Sequence, residues 1–110
     1  MFGIDCHTMA STAPPLASNR GTERPLISIA DNEGNTLPFP WRERLKSCFE
    51  EAYDLPVAIN EPFKGGYIIT QHSSDMPWVQ LKLSRAPFYS LEEKRERLIK
   101  ALACFSIATK

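Results

Sequence analysis

The chain has 110 residues, 43% of them hydrophobic and 24% charged, with 13 basic and 13 acidic side chains. This length predicts a single domain, residues 1–110, that buries roughly two-thirds of its unfolded surface. The balanced charge argues against a nucleic-acid partner, and the composition argues against disorder. No apolar stretch approaches the ~20 residues that span a bilayer, and no signal peptide is recognisable. We therefore expect a soluble protein with neither a nucleic-acid nor a membrane partner.

The cysteines are odd in number and far apart in the sequence. Cys6, Cys48 and Cys104 each fall in a stretch that otherwise reads as core. This pattern favours reduced, buried thiols over a disulfide framework. It indicates a cytoplasmic protein.

The first half of the chain predicts two strands and a helix. The run GIDCHTM, Gly3 to Met9, reads as a strand, and a loop rich in Ser, Thr, Pro and Asn follows it. LISIA, Leu26 to Ala30, reads as a second short strand, followed by the turn residues DNEGNT. From Pro38 to Asp54 apolar residues recur with a helical period.

The second half predicts three further strands. VAIN, Val57 to Asn60, is strand-like, and the run from Tyr67 to His72 is rich in β-forming residues. In WVQLKLS, Trp78 to Ser84, side chains alternate, so Gln80 and Lys82 share one face.

A capping box predicts the last helix. Ser90 and Glu93 form an S-x-x-E pattern before an apolar stripe that ends near Thr109. The element order implies an α/β fold, with two main helices packed on a mixed sheet of four to five strands. Its N-terminal strand leaves one sheet edge a candidate for exposure.

Asp5 and His7 are the first candidate site residues. At strand period they point the same way, and a histidine at a strand end can bind zinc while a neighbouring carboxylate orients it. The D-x-H pattern is weak by itself, because satisfied polar residues at a strand end look the same. The other histidine, His72, reads more readily as a strand-end or loop residue.

The segment NEPFKGGY, Asn60 to Tyr67, has two alternative interpretations. Paired glycines let a backbone approach a ligand closely, but they also suit a tight connection between strands. Neither glycine-rich nucleotide-binding pattern is present, which disfavours a nucleotide site.

Three stretches together resemble one family. GIDCHTM, INEPFKGGYII and WVQLKLSRAPFYS occur in the order and at about the spacing seen in the C-terminal half of N-formylglutamate amidohydrolases. These enzymes cleave N-formylglutamate to formate and glutamate, which implies a role in histidine degradation. The family in turn resembles the zinc carboxypeptidase and aspartoacylase group. The resemblance implies a zinc-carboxypeptidase-like (phosphorylase/hydrolase-like) fold, of which this chain is the C-terminal portion, with zinc as cofactor.

The resemblance also implies roles for individual residues. His7 matches a zinc ligand of the family, and Asp5 matches its supporting carboxylate. Arg85 matches an arginine for which a structural salt bridge and a substrate contact are equally open. The segment that the resemblance places near the substrate contains Asn60, Lys64, Gly65 and Gly66.

Lys82 departs from the family pattern. The family usually has Q-L-E-L where this chain has QLKL, so Lys82 occupies the position of the catalytic glutamate, which serves as a base. A lysine of ordinary pKa ~10.4 is protonated at neutral pH and does not serve as that base without a large shift. The first two zinc ligands of the group, a histidine and a glutamate, would precede this chain, and His7 by itself does not make a three-ligand catalytic site.

Three hypotheses for function remain open. The first is a truncated family member that hydrolyses N-formyl or N-acyl amino acids by ancestry but is inactive alone. The second is a protein that binds a small carboxylate without turnover. The third is an assembly fragment whose exposed edge pairs with a separate N-terminal half or with its own copy as a homo-oligomer.

Overall fold

The fold is seen in a computed structural model that describes residues 2–9, 25–61, 63, 65, 67–74 and 76–108. The strands are β1 (Gly3–Met9), β2 (Ile27–Ala30), β3 (Ala58–Ile59) and β4 (Trp78–Ser84), and the helices are α1 (Phe39–Tyr53), α2 (Tyr67–His72) and α3 (Leu91–Ala108). They form an α/β structure with a four-stranded mixed sheet, as the sequence predicts. None of the described helices has the length and apolar character needed to cross a membrane.

The sheet has the order β1-β4-β2-β3. β1 runs parallel to β4, β4 antiparallel to β2, and β2 parallel to β3. β4 lies between β1 and β2, so these two strands, although consecutive in the sequence, are not paired. Among the described residues β1 is the outermost strand on one side of the sheet, and the exposure of that edge stays a prediction.

The main core lies between one face of the sheet and the helices α1 and α3. It contains Ile27, Ile29, Leu37, Leu45, Cys48, Phe49, Tyr53, Val57, Val79, Leu81, Ala101 and Phe105. Ile29, Leu45 and Val79 are at most 1% exposed. Because side chains alternate along β4, burying Val79 and Leu81 on this face directs Gln80 and Lys82 to the opposite face.

Helix boundaries follow local chemistry. α1 begins after Pro38, with Pro40 in its first turn, and ends at Tyr53. The next residue, Asp54, has a left-handed backbone, and its N–H donates to the Glu50 carbonyl. The predicted capping box is confirmed at α3, where the Glu93 N–H donates to the Ser90 hydroxyl at 3.1 Å.

The prediction of a strand over Tyr67 to His72 is wrong. These residues form the short helix α2, which contacts β4 and β1 and fully buries Ile69. A short run of β-branched residues has no period that separates a strand from one turn of buried helix. In the helix, Ile69 is fully buried.

The prediction of three reduced, buried thiols is also wrong. Cys48 on α1 and Cys104 on α3 are joined in a disulfide, and Cys6 on β1 is a free, exposed thiol. Both helices present apolar stripes to the same core, and this packing brings together two cysteines 56 residues apart in sequence. The cysteines therefore no longer support a reducing compartment.

Candidate functional site

Four polar side chains lie on the face of the sheet opposite the main core. In the parallel register of β1 and β4, Asp5 is opposite Gln80 and His7 is opposite Lys82. Alternation along each strand gives these residues a common direction. We call this set, Asp5, His7, Gln80 and Lys82, the polar face.

Asp5 is held through both of its carboxylate oxygens. His7 Nε2 lies 2.9 Å from Asp5 Oδ1, and Gln80 Nε2 donates to Asp5 Oδ2 at 3.2 Å. The Asp5 side chain is 15% exposed, whereas the His7 side chain is 47% exposed. Asp5 therefore fixes the imidazole through Nε2 and leaves Nδ1 as the ring nitrogen able to meet a ligand.

Lys82 lies between His7 of β1 and Ser28 of β2 in the sheet register. Its Nζ lies 3.7 Å from the centre of the Phe63 ring, a contact that favours the charged ammonium. The Ser28 hydroxyl donates to the Glu61 carbonyl. A cation therefore stands beside the histidine, where the family resemblance leads one to expect a carboxylate.

Both side-chain amide atoms of Asn60 form hydrogen bonds to Asp31. Its Nδ2 donates to Asp31 Oδ1 at 2.9 Å, and its Oδ1 accepts the Asp31 N–H at 3.0 Å. Its backbone is left-handed with φ of 56°, a region that asparagine tolerates better than most residues. The fully buried Asp31 carboxylate also faces Arg42, with an N–O distance of 3.5 Å. Asn60 thus joins the ends of β2 and β3, and its expected substrate contact stays a prediction.

The glycine-pair segment is described only in part. Gly65 has φ of 139°, a backbone conformation that residues with a side chain rarely adopt, and a Cβ there would meet Ile69 Cδ1, which would have to shift. Lys64 and Gly66 lie outside the described residues.

Arg85 lies away from the polar face. Its Nη1 is 3.3 Å from the Thr8 hydroxyl, and Thr8 pairs with Leu83, whose side chain belongs to the helix-covered face. With these residues Arg85 lines a cavity of about 930 Å³ between the sheet and the start of α3. The structure therefore does not bring Arg85 together with His7 and Lys82, and its substrate contact is untested.

The His7 imidazole, oriented by the Asp5 carboxylate, has the arrangement expected of one ligand of a zinc site. An exposed imidazole oriented by a carboxylate is the usual arrangement of a histidine ligand. Among the described residues, however, no group of three or more His, Cys, Asp or Glu side chains converges to hold a metal ion. These residues by themselves therefore do not make a catalytic zinc site, which takes three protein ligands.

Gln80 and Phe63 are the site residues that sequence reasoning did not single out. The alternation of WVQLKLS places Gln80 beside Lys82, but its bond to Asp5 joins residues 75 apart in sequence. Phe63 comes from the segment after β3, and no sequence pattern indicates its contact with Lys82.

The class of protein follows from this arrangement: an α/β domain whose polar site lies on two adjacent parallel strands. The family model of N-formylglutamate amidohydrolase matches residues 1–89, and the chain belongs to that family. No curated protein sequence matches the chain.

A solved structure supports the fold. The crystal structure of N-formylglutamate amidohydrolase from Ralstonia eutropha JMP134 is similar to this chain, with a TM-score of 0.73 and 19% sequence identity. The match covers 96% of this chain and 41% of that one. The chain thus spans less than half the length of this structural neighbour, and at this identity the likeness concerns the fold.

Proposed function

We propose that this chain contributes one side of an amidohydrolase site that hydrolyses the C–N bond of an N-formyl or N-acyl amino acid. Family membership supports the reaction class, and the oriented His7 on the polar face is the observation that carries the assignment. In this proposal His7 is a zinc ligand, Asp5 positions it, and the fold relates to the zinc carboxypeptidase group. Zinc, when bound, would activate water and polarise the amide carbonyl.

The proposal includes the inability of the isolated chain to complete the reaction. A general base must accept a proton, and Lys82, a residue type that is ordinarily protonated at neutral pH, occupies the position where the family resemblance places the basic glutamate. Further ligands would have to come from groups other than the described ones.

Zinc titration tests the ligand assignment. Calorimetry on the purified chain combined with an N-terminal half from a full-length relative should show zinc binding that His7→Ala abolishes and that Asp5→Asn weakens by about 10- to 100-fold, because Asp5 orients the ring. His72→Ala is the matched control, since it removes the other histidine, which lies against Trp78 with a ring separation of 6.0 Å. Equal loss with His72→Ala, or zinc binding by the combination that His7→Ala leaves unchanged, would refute the role of His7.

Formate release tests the proposed inability of the isolated chain to hydrolyse the substrate. The chain by itself, assayed with added zinc, should release no formate from N-formylglutamate above background. Lys82→Glu, combined with an N-terminal half supplied from a full-length relative, should restore measurable turnover, whereas the same combination with Lys82 intact should not. Turnover by the unaltered chain alone would contradict the proposed inactivity of the chain. It would not contradict the role of His7 as a zinc ligand.

Binding of a small carboxylate without turnover is the second candidate. Lys82 favours it, because an ammonium between His7 and Ser28 is a donor for a carboxylate. Calorimetric titration with glutamate and N-formylglutamate should show millimolar or tighter binding that Lys82→Met removes. Absence of heat with both ligands would exclude this candidate.

A further inference from the structure

A pocket of about 370 Å³ lies beside the disulfide that joins α1 to α3. Its volume falls in the range of about 300–1,000 Å³ that is usual for small-ligand sites. Glu51 of α1 and Lys100 of α3 line the pocket and are exposed, so it opens at the surface of the helix pair. The lining residues all belong to these two helices: Cys48, Glu51, Ala52, Arg97, Lys100 and Cys104.

The two cysteines of the disulfide differ in their exposure. Cys48 is 4% exposed and belongs to the hydrophobic core, whereas Cys104 is only partly buried against that core. A thiolate attacks a disulfide at the sulfur that it can reach, and the other sulfur leaves as a thiolate. Cys104 is therefore the cysteine that a thiol arriving from solvent meets first.

The charges around the pocket do not oppose a thiolate. Lys100 lies one helical turn before Cys104, and Arg97 lies about one turn further back on α3. Arg97 pairs with Glu93 at an N–O distance of 3.8 Å, which offsets part of its charge. Among the lining residues Glu51 is the one carboxylate, and the two cations outnumber it. The lining therefore does not repel an anionic nucleophile.

We propose that this disulfide is a site of thiol exchange, at which a low-molecular-weight thiol becomes attached to Cys104. The thiolate of the small molecule attacks Cys104 Sγ, the bond to Cys48 Sγ breaks, and the Cys48 sulfur leaves as a thiolate that takes up a proton from solvent. The products are a mixed disulfide on Cys104 and a free thiol at Cys48. The small thiol supplies the sulfur and the electron pair, so the step needs no other reductant.

Other contacts hold α3 against α1 when the disulfide opens. Phe105 is 4% exposed, and its ring lies 6.3 Å from that of Trp41. The Tyr53 hydroxyl donates to the Lys94 carbonyl at 2.7 Å. Because these contacts keep the two sulfurs close, the released thiol can attack the mixed disulfide and restore the original bond. The inference does not depend on the amidohydrolase proposal, since the pocket lies on the helices and not on the polar face.

Trapping of the adduct tests which cysteine reacts. Every variant carries Cys6→Ser, which removes the exposed free thiol. With Cys48→Ser added, oxidised glutathione should attach one glutathione to Cys104. With Cys104→Ser instead, the adduct on Cys48 should form roughly tenfold more slowly or less, because that cysteine is buried. Intact-mass measurement over time gives both rates, and an equal or faster reaction at Cys48 would overturn the assignment of Cys104.

Reduction of the intact disulfide tests whether the folded chain reacts. In the Cys6→Ser chain, acid quenching and mass measurement follow the loss of the disulfide in reduced glutathione. The rate should rise in proportion to the glutathione concentration and stay unchanged at urea concentrations below the unfolding transition, where circular dichroism is constant. A rate that grows with urea in step with the unfolded fraction would refute the proposal, because only the unfolded chain would then react. A disulfide that persists throughout would also refute it.

Closing the pocket tests the route of entry. Glu51→Trp, in the Cys6→Ser chain, places a large side chain at the pocket and should slow the reduction several-fold. Glu51→Gln removes the same charge without adding bulk and should not slow it. Ser47→Trp is the matched control for size, because Ser47 is exposed on α1 and does not line the pocket. Equal rates for Glu51→Trp and both controls would overturn entry through this pocket.

Discussion

At the residue scale, Tyr53 connects the helices to each other and to the loop before α3. Its hydroxyl donates to the Lys94 carbonyl at 2.7 Å, and its own carbonyl accepts the Tyr89 hydroxyl at 2.7 Å. The residue is fully buried, and its ring stacks on Phe49 with a centroid separation of 6.0 Å. Burial raises the pKa of Tyr53 to about 12, because the phenolate has lost its hydration, while Arg97 partly offsets the effect.

Stability should therefore fall at high pH through Tyr53. Since the pKa is higher in the folded chain than in the unfolded chain, the stabilisation is complete below pH 10 and is lost as the pH rises to about 12. The two-unit difference corresponds to roughly 2–3 kcal/mol. Urea unfolding of the native chain and Tyr53→Phe at pH 8 and pH 11 should show a smaller loss in the variant. Equal losses would show that Tyr53 does not carry the effect.

Asn60 illustrates how far sequence reasoning reaches at this scale. The sequence correctly indicates that the residues around it must turn sharply. It does not reveal that the amide bonds to Asp31, because that contact joins residues 29 apart and depends on β2 and β3 being neighbours. A polar side chain with a structural partner and one facing a ligand look the same in a sequence.

At the element scale, the disulfide joins the two long helices. Cys48 and Cys104 link α1 to α3 across 56 residues. A cross-link over a loop of this length stabilises by about 4 kcal/mol in the chain-entropy model. It adds to the apolar packing between these helices, where Phe105 contacts Trp41 with a ring separation of 6.3 Å.

Breaking this disulfide should lower the free energy of unfolding by about 2–4 kcal/mol. Cys48→Ser combined with Cys104→Ser, compared with the native chain in urea under non-reducing conditions, measures the change. Cys6→Ser is the matched control and should leave the monomer's free energy of unfolding within about 0.5 kcal/mol, because Cys6 is exposed. A double variant as stable as the native chain would contradict the stabilising role.

At the scale of the whole molecule, one continuous core joins the sheet to the two long helices. Ile29 of β2, Leu45 of α1 and Val79 of β4 belong to it and are at most 1% exposed. Leu45→Ala should lower the free energy of unfolding by about 2–5 kcal/mol, because it leaves a cavity where elements from both halves of the chain meet. Leu91→Ala, at a side chain that is 86% exposed, is the control and should change the free energy by at most about 0.5 kcal/mol in the same urea unfolding experiment. Equal losses for the two variants would contradict the role of Leu45.

The sequence by itself determined all four strands, both long helices, the capping box of α3 and the common direction of Asp5 and His7. These features depend on periodicity and on residue types close together in the chain, which a sequence displays directly. It also identified the family, through three short stretches in a fixed order.

Only the tertiary structure decided the pairing of β1 with β4, the bond from Gln80 to Asp5, the contact of Phe63 with Lys82 and the disulfide. It also turned the expected strand at Tyr67 to His72 into a helix. Each of these outcomes follows from which distant surfaces pack together, because packing energy sums contacts over residues far apart in the chain. Local propensity carries no information about those contacts.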